Sequence, residues 1–176
     1  MPDGIRDSGF GIRSESRTQI PNPKSRIPAL TIATVFGIGY LPIAPGTFGS
    51  AVGLLVWAVV PQTAAAQGAA IAVLFAIGCW SGSVAEHHFG RIDPGQVVID
   101  EVMGMLITLF LNPVGWAGAL VGFVVFRVAD IVKPYPSNRL ERLPGGVGVM
   151  ADDGMAAIYA NLGLRAMLAI GNRVIG

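Results

Sequence analysis

The sequence predicts an all-α fold: a multihelical, membrane-embedded bundle of short helical hairpins, with a Gly/Pro-rich loop on the face that carries the chemistry. Three observations predict it. The chain has 176 residues, of which 52% are hydrophobic and 13% charged, against about 25% charged in a typical soluble domain. No Asp, Glu, Lys or Arg occurs in the 59 residues from Ile27 to Ala85. The long apolar runs are punctuated by Pro-containing turns. A soluble helical domain with a large buried core is the alternative reading of this composition. A bilayer explains the uncharged stretch better, because a spanning helix needs about 20 mainly apolar residues.

Composition also excludes several classes. A net charge of +1 gives no field that would draw the chain to nucleic acid. The apolar content is too high for a chain that is mainly disordered. Cys79 is the only cysteine, so neither a disulfide framework nor a thiolate zinc site fits.

Residues 1–26 differ from the rest. They hold Arg6, Arg13, Arg17, Lys24 and Arg26 with three acids, and no apolar run of leader-peptide length. They read as a disordered, basic, cytoplasmic tail, and residues 27–176 as the helical domain. The loop from Gly37 to Ser50 has four glycines and two prolines among its fourteen residues, too many for a regular helix through it. Ala51–Val60 is a short apolar helix, re-entrant by its length. Pro61-Gln62-Thr63 is a turn, and Ala64–Ala85 a long apolar helix. The next helix opens near Pro94, a suitable first-turn residue, and runs to about Leu111. Asn112-Pro113 turns the chain into a helix from Val114 to about Val132, which Pro134 and Pro136 end. A last helix runs from about Asp152 to Ile170. With a cytoplasmic tail, each hairpin returns the chain to one side. The Gly/Pro loop, the segment from Glu86 to Asp100 and the segment from Asp130 to Asp153 then share the cytoplasmic face.

Eight of the eleven acidic residues lie between Glu86 and Asp153. Asp100-Glu101 sits in an otherwise apolar helix, where each charge costs about 2.5–3.5 kcal/mol at a span centre. Such a pair calls for compensation by a metal, an Arg or a wet cavity; a helix N-terminus would also favour it. Arg127, Asp130 and Lys133 are spaced by three and share a helix face. They suit either a salt-bridge ladder or a phosphate seat beside a metal ligand. Gly145-Gly146-x-Gly148 precedes Asp152-Asp153; the glycines allow close approach to a ligand, and one Asp suits a helix cap. Backbone amides at Thr47–Ser50, where the Gly/Pro loop enters a helix, suit an anion. His87 and His88 point about 100° apart on a helix and read as interfacial. Cys79 reads as a small core residue. Carboxylates without thiolates suit Mg²⁺ rather than zinc or copper. The composite is a metal-assisted phosphoryl site at a membrane surface.

Four ordered motifs carry a resemblance. They are Gly37-x-Gly39-x-x-Pro42-x-Ala44-Pro45-Gly46-Thr47-x-Gly49-Ser50; Val98-Ile99-Asp100-Glu101-x-x-Gly104; Phe126-Arg127-x-x-Asp130-Ile131-x-Lys133-Pro134-x-Pro136; and Gly145-Gly146-x-Gly148-x-Met150-x-Asp152-Asp153. Together they resemble the phosphatidylglycerophosphatase A family over about residues 33–165. The chain has Ala129 where the family pattern commonly has Phe. The resemblance implies a Mg²⁺-dependent lipid phosphatase of the bacterial inner membrane that converts phosphatidylglycerophosphate to phosphatidylglycerol. On that basis Asp100, Glu101, Asp130, Asp152 and Asp153 are expected metal ligands. Thr47, Gly49, Ser50, Arg127 and Lys133 are expected to meet the phosphate. Asp100, Glu101, Asp130, Lys133 and Asp153 are the expected catalytic set, with water or a carboxylate as nucleophile. Another phosphorylated lipid as substrate, or a non-catalytic bundle with internally paired charges, are the rival readings.

Overall fold

A computed structural model describes residues 23–175, and every described element is a helix or a turn. The expected tail falls outside these residues up to position 22. From Pro23 the chain is already helical, inside the segment read as tail.

Helix α1 (Pro23–Ala33) ends in a sharp reversal. Val35, Phe36 and Gly37 all have positive φ, and Thr34 Oγ1 accepts the Gly37 amide at 3.1 Å. A 3-10 turn (Ile38–Tyr40) leads into α2 (Pro45–Val59). Helix α2 starts inside the loop that glycine and proline seemed to forbid, because Pro45 takes the first turn, where its missing N–H is harmless. Helix α3 (Ala64–Phe89) is capped by Thr63, whose hydroxyl accepts the Ala66 amide, and ends at Gly90 in the left-handed region. Helices α4 (Ile99–Leu109), α5 (Trp116–Val132), α6 (Ser137–Leu140) and α7 (Gly146–Ile175) complete the chain.

Helix α4 is the centre, with nine of its eleven residues buried. It packs on α2 through glycines 46, 49 and 53, which share one face of α2. A Cβ at Gly49 would lie 2.8 Å from Val98 O, and one at Gly53 would lie 2.6 Å from Met105 Cβ. Side chains there would push the two helices apart. On its other flank α4 meets α5, where the fully buried Phe126 ring lies against Gly104. Asn161 of α7 donates Nδ2 to the carbonyls of Ile107, Thr108 and Phe110 at 3.0, 3.0 and 2.9 Å, closing the C-terminal end of α4.

Two further helix starts differ from expectation, and both bear on the site. Helix α4 begins at Ile99 rather than near Pro94, because residues 94–98 are tied into turns: Val97 N bonds Pro94 O, and Val98 N bonds Ala33 O at 2.9 Å. Asp100 and Glu101 therefore stand in its first turn. Helix α7 begins at Gly146, so Asp152 and Asp153 lie well inside it and neither caps it. Here packing overrides the poor helix propensity of glycine. Gly146 donates its amide to Ser83 Oγ at 2.8 Å, and its Cα would lie 3.1 Å from a Cβ at Gly82.

Helices α3 and α7 are each long and apolar enough to cross a membrane. Val73, Phe75 and Trp80 on α3, and Ile158, Leu162 and Ile170 on α7, are exposed. Helix α4 is only about 16 Å long at 1.5 Å per residue, short of the roughly 30 Å hydrocarbon core, and is not a span.

Candidate active site

Five helix ends converge at one end of the bundle: the starts of α2, α4 and α7 and the finishes of α3 and α5. The helical hairpins bring this about, since each polar segment caps an apolar pair.

Asp100 and Glu101 from α4 and Asp153 from α7 form the middle of the site. One carboxylate oxygen of each lies within 4.8 Å of the other two. Asp100 and Asp153 are 5% and 4% exposed, too little for solvent to screen their repulsion. Burial, aided by the Glu101 charge, holds the Asp100 carboxyl well above the usual carboxylate range. Burial also pushes Glu101 up to about 8, against a hydrogen bond with Asp100 and the Arg127 charge, which pull it down. Glu101 Oε2, Asp153 Oδ2 and Asp152 Oδ1 are buried without a hydrogen-bond partner. Orphaned buried acceptors are rare. Two of the three, on Glu101 and Asp153, belong to the clustered carboxylates and fit a hard divalent cation, which takes oxygen ligands.

Two cations flank this centre. Arg127 Nη1 pairs with Asp130 Oδ2 at 2.8 Å and with Glu101 Oε1 at 3.7 Å, and donates to Ser50 Oγ at 3.4 Å. The Ser50 hydroxyl in turn donates to Gly46 O at 2.9 Å. One guanidinium thus joins α2, α4 and α5. Lys133 ends α5 in the left-handed region. Its Nζ contacts Asp152 Oδ2 at 2.6 Å, Glu141 Oε2 at 3.4 Å and Asp93 Oδ2 at 3.5 Å. Burial opposes the Lys133 charge, but the hydrogen bond and charge of Asp152, with Asp93 and Glu141, outweigh it and raise its pKa, so the ammonium stays protonated. Burial raises the Asp93 carboxyl, with Lys133 opposing.

The expected residues divide accordingly. Asp100, Glu101 and Asp153 come together, and of the three Glu101 reaches a cation, Arg127 at 3.7 Å. Asp130 and Asp152 stand beside them, each paired with a cation. The stripe of Arg127, Asp130 and Lys133 is part ladder, since Arg127 holds Asp130, and part bridge to other helices. At the start of α2 the Thr47 and Phe48 amides bond Ala44 O, so they already have a partner. Gly49 backs onto Val98 O, and Ser50 holds Arg127. Gly146 and Gly148 serve helix packing rather than close approach to a ligand: Gly148 lies over the carbonyls of Glu141 and Leu143. His87 and His88 are exposed at the end of α3. Cys79 is half-buried.

Three residues escaped the sequence reading. Asp93 and Glu141 complete the Lys133 cage; Asp93 has a positive φ and its amide donates to Glu86 Oε1 at 3.3 Å. Their one signal was membership of the acidic group after Glu86. Gly46 is the third. Its missing side chain leaves room for Glu101 Oε1 and for both Arg127 terminal nitrogens, each 3.1 Å from where a Cβ would be.

The family model described as phosphatidylglycerophosphatase A matches residues 31–168. A Bacteroides thetaiotaomicron protein, provisionally named a phosphatidylinositol-3-phosphatase, is 38% identical over 161 residues, 86% of this chain and 98% of its own length. A Haemophilus influenzae protein named phosphatidylglycerophosphatase A is 35% identical, covering 79% of this chain and 90% of its own. An Escherichia coli protein of the same name is 33% identical, covering 84% of each. No solved structure matches this chain.

Proposed function

The chain belongs to the phosphatidylglycerophosphatase A family, and from that premise we propose that it hydrolyses the terminal phosphate of phosphatidylglycerophosphate in a Mg²⁺-dependent reaction. It is a phosphoric monoester hydrolase of lipid substrates, like its named relatives. Its two long apolar helices and this kinship suggest a membrane protein. A bacterial inner membrane with the site on the cytoplasmic side is the setting we propose.

The observation that carries the reading is charge. The site gathers seven carboxylates (Asp93, Asp100, Glu101, Asp130, Glu141, Asp152, Asp153) around two cations, Arg127 and Lys133. A phosphomonoester is itself anionic. Added positive charge would favour its entry, and oxygen-rich sites select a hard divalent cation. Asp100, Glu101 and Asp153 would hold that ion, with Asp152 and Asp130 adjacent. When bound, such an ion offsets charge on phosphoryl oxygens and lowers the pKa of water.

The chain's own residues supply the rest. Arg127 Nε has no hydrogen-bond partner and can meet a phosphoryl oxygen as charge builds, while Lys133 would exchange one of its three carboxylate contacts to do so. Glu101, held by Arg127 at 3.7 Å, is the carboxylate we place for proton transfer at the reacting group. Gly46 and Ser50 fix Arg127 and thereby Glu101. Water or a carboxylate can then attack phosphorus in line with the leaving glycerol oxygen.

The Bacteroides relative favours a second substrate of the same chemistry, a phosphorylated inositol lipid. Phosphate release from a panel of both lipids, with and without chelator, tests the proposal. Faster turnover of the inositol lipid would replace the first substrate by the second. Undiminished release in chelator would remove the divalent cation.

A further inference from the structure

We propose that the Lys133 ammonium stands in the place of a second divalent cation, so that the protein binds one ion per chain and would bind two without that side chain. The inference rests on the divalent-cation reading of Asp100, Glu101 and Asp153, and adds the count of ions to it.

The surroundings of Lys133 are those of a cation site already filled. Its Nζ meets Asp152 Oδ2 at 2.6 Å, Glu141 Oε2 at 3.4 Å and Asp93 Oδ2 at 3.5 Å. These acids come from α7, from the residue after α6 and from the segment between α3 and α4. An ammonium has three donors and no acceptor, and three carboxylates match them. Three acids converging on one point repel each other, and a single positive charge offsets this only in part. The same three oxygens, with water, form a donor set for a hard divalent cation. The side chains of Asp93 and Glu141 are 26% and 38% exposed, so they have room to close on a smaller ion and to admit water.

Asp152 links this cage to the carboxylate cluster. One of its oxygens meets Lys133, and the other, Oδ1, is buried without a hydrogen-bond partner. Burial and Glu101 act most on the Asp100 carboxyl, but the charges of Asp93 and Asp152 are felt there too, so cage and cluster adjoin. Paired-metal sites hold their ions about 3.5–4 Å apart, a span that one carboxylate can bridge with its two oxygens. Asp152 has the disposition of such a bridge, with an ammonium on one side. The second positive charge is then part of the chain: no free ion is needed to supply it, and no chelator removes it.

The test counts ions. Lys133 lies in the left-handed region, which glycine adopts without strain at a helix end, so Lys133→Gly removes the ammonium at least cost to the backbone. Mn²⁺ bound by the full chain in detergent is counted by electron paramagnetic resonance, a readout independent of turnover. The wild type should bind one Mn²⁺ per chain and Lys133→Gly two. Adding Glu141→Gln to Lys133→Gly should return the count to one. Two ions in the wild type, one in Lys133→Gly, or a second ion that survives Glu141→Gln overturns the inference and leaves Lys133 as an ion-paired anchor. No ion in the wild type defeats the divalent-cation reading itself, and the inference with it. Melting curves cover poor folding: Lys133→Gly should melt early in chelator and recover with Mn²⁺, which binds the folded form. A variant that Mn²⁺ does not restore overturns the inference as well.

Discussion

Gly46 and Glu101 occupy what would otherwise be the same space: a Cβ at position 46 would overlap Glu101 Oε1. The first turn of α2 and the first turn of α4 can share the site only because one of them has no side chain there. The closeness is imposed by the whole interface, since Gly49 and Gly53 meet Val98 and Met105 in the same way.

Gly46→Ala should therefore displace Glu101 and Arg127 more than it unfolds the protein. Overpacking of this kind costs about 1–3 kcal/mol. Turnover should fall at least about tenfold, as expected for a misplaced catalytic group. Initial rates beside a detergent melting curve check this. Wild-type turnover in a folded variant would remove Gly46 from the site.

Asp100→Asn and Glu101→Gln should each lower activity sharply and raise the Mg²⁺ needed for half-maximal rate. The amides keep the shape but lose the anionic oxygen that a hard cation requires. A lost ligand should be partly rescued by more Mg²⁺; a lost general base should not. A Mg²⁺ titration of both variants separates these roles. Wild-type curves for both would make the pair structural.

Lys133→Met should impair folding as well as turnover, because Lys133 neutralises three carboxylates. Asp152 is 2% exposed, so it would be left charged and buried. Breaking such a pair from one side costs up to about 3–5 kcal/mol. Adding Asp152→Asn should restore most of the lost stability without restoring turnover. The melting temperatures and rates of the single and double variants form the test. An unchanged Tm in Lys133→Met would mean that the cage carries no net stability.

The chelated protein should lose stability as pH rises. Glu101 titrates at about 8 in the folded state against 4.5 in its unperturbed state, so the folded form holds more protons between those values. Stability contributed by the protonated form is complete below pH 4.5 and is lost as pH rises through about 8. Asp100, raised for the same reason, acts with the same sign. Mg²⁺ should oppose the loss, since cation binding requires the deprotonated carboxylates. Melting temperatures from pH 5 to about 9, with chelator and with Mg²⁺, give the readout. A flat profile in chelator would mean that burial does not shift these groups.

The acids at 100–101 and 152–153 were legible in the sequence because a charge in an apolar run calls for an explanation. Arg127 and Lys133 were legible through helical spacing. Asp93 and Glu141 were not, since each lies in a polar segment where an acid needs no excuse; only the folded chain brings them to Lys133. The glycines misled for a related reason. Gly146 and Gly148 look the same in sequence whether they line a ligand or a helix crossing, and here the crossing lengthens α7 back through them. The start of α4 was misread because Pro94 suits a turn as well as a first helical turn.

The shortness of α4 bears on how the protein is made. A helix of eleven residues cannot enter a membrane as an independent unit, and its last carbonyls would meet hydrocarbon. Asn161 meets them instead, and it belongs to α7, which is synthesised after α4. Asp153, the third of the clustered carboxylates, is on that same helix. Until α7 has left the ribosome, α4 has neither a seat in the bilayer nor a complete set of charges at its head. Biogenesis and activity thus share one late step, and a nascent chain halted before α7 would be both unassembled and inert.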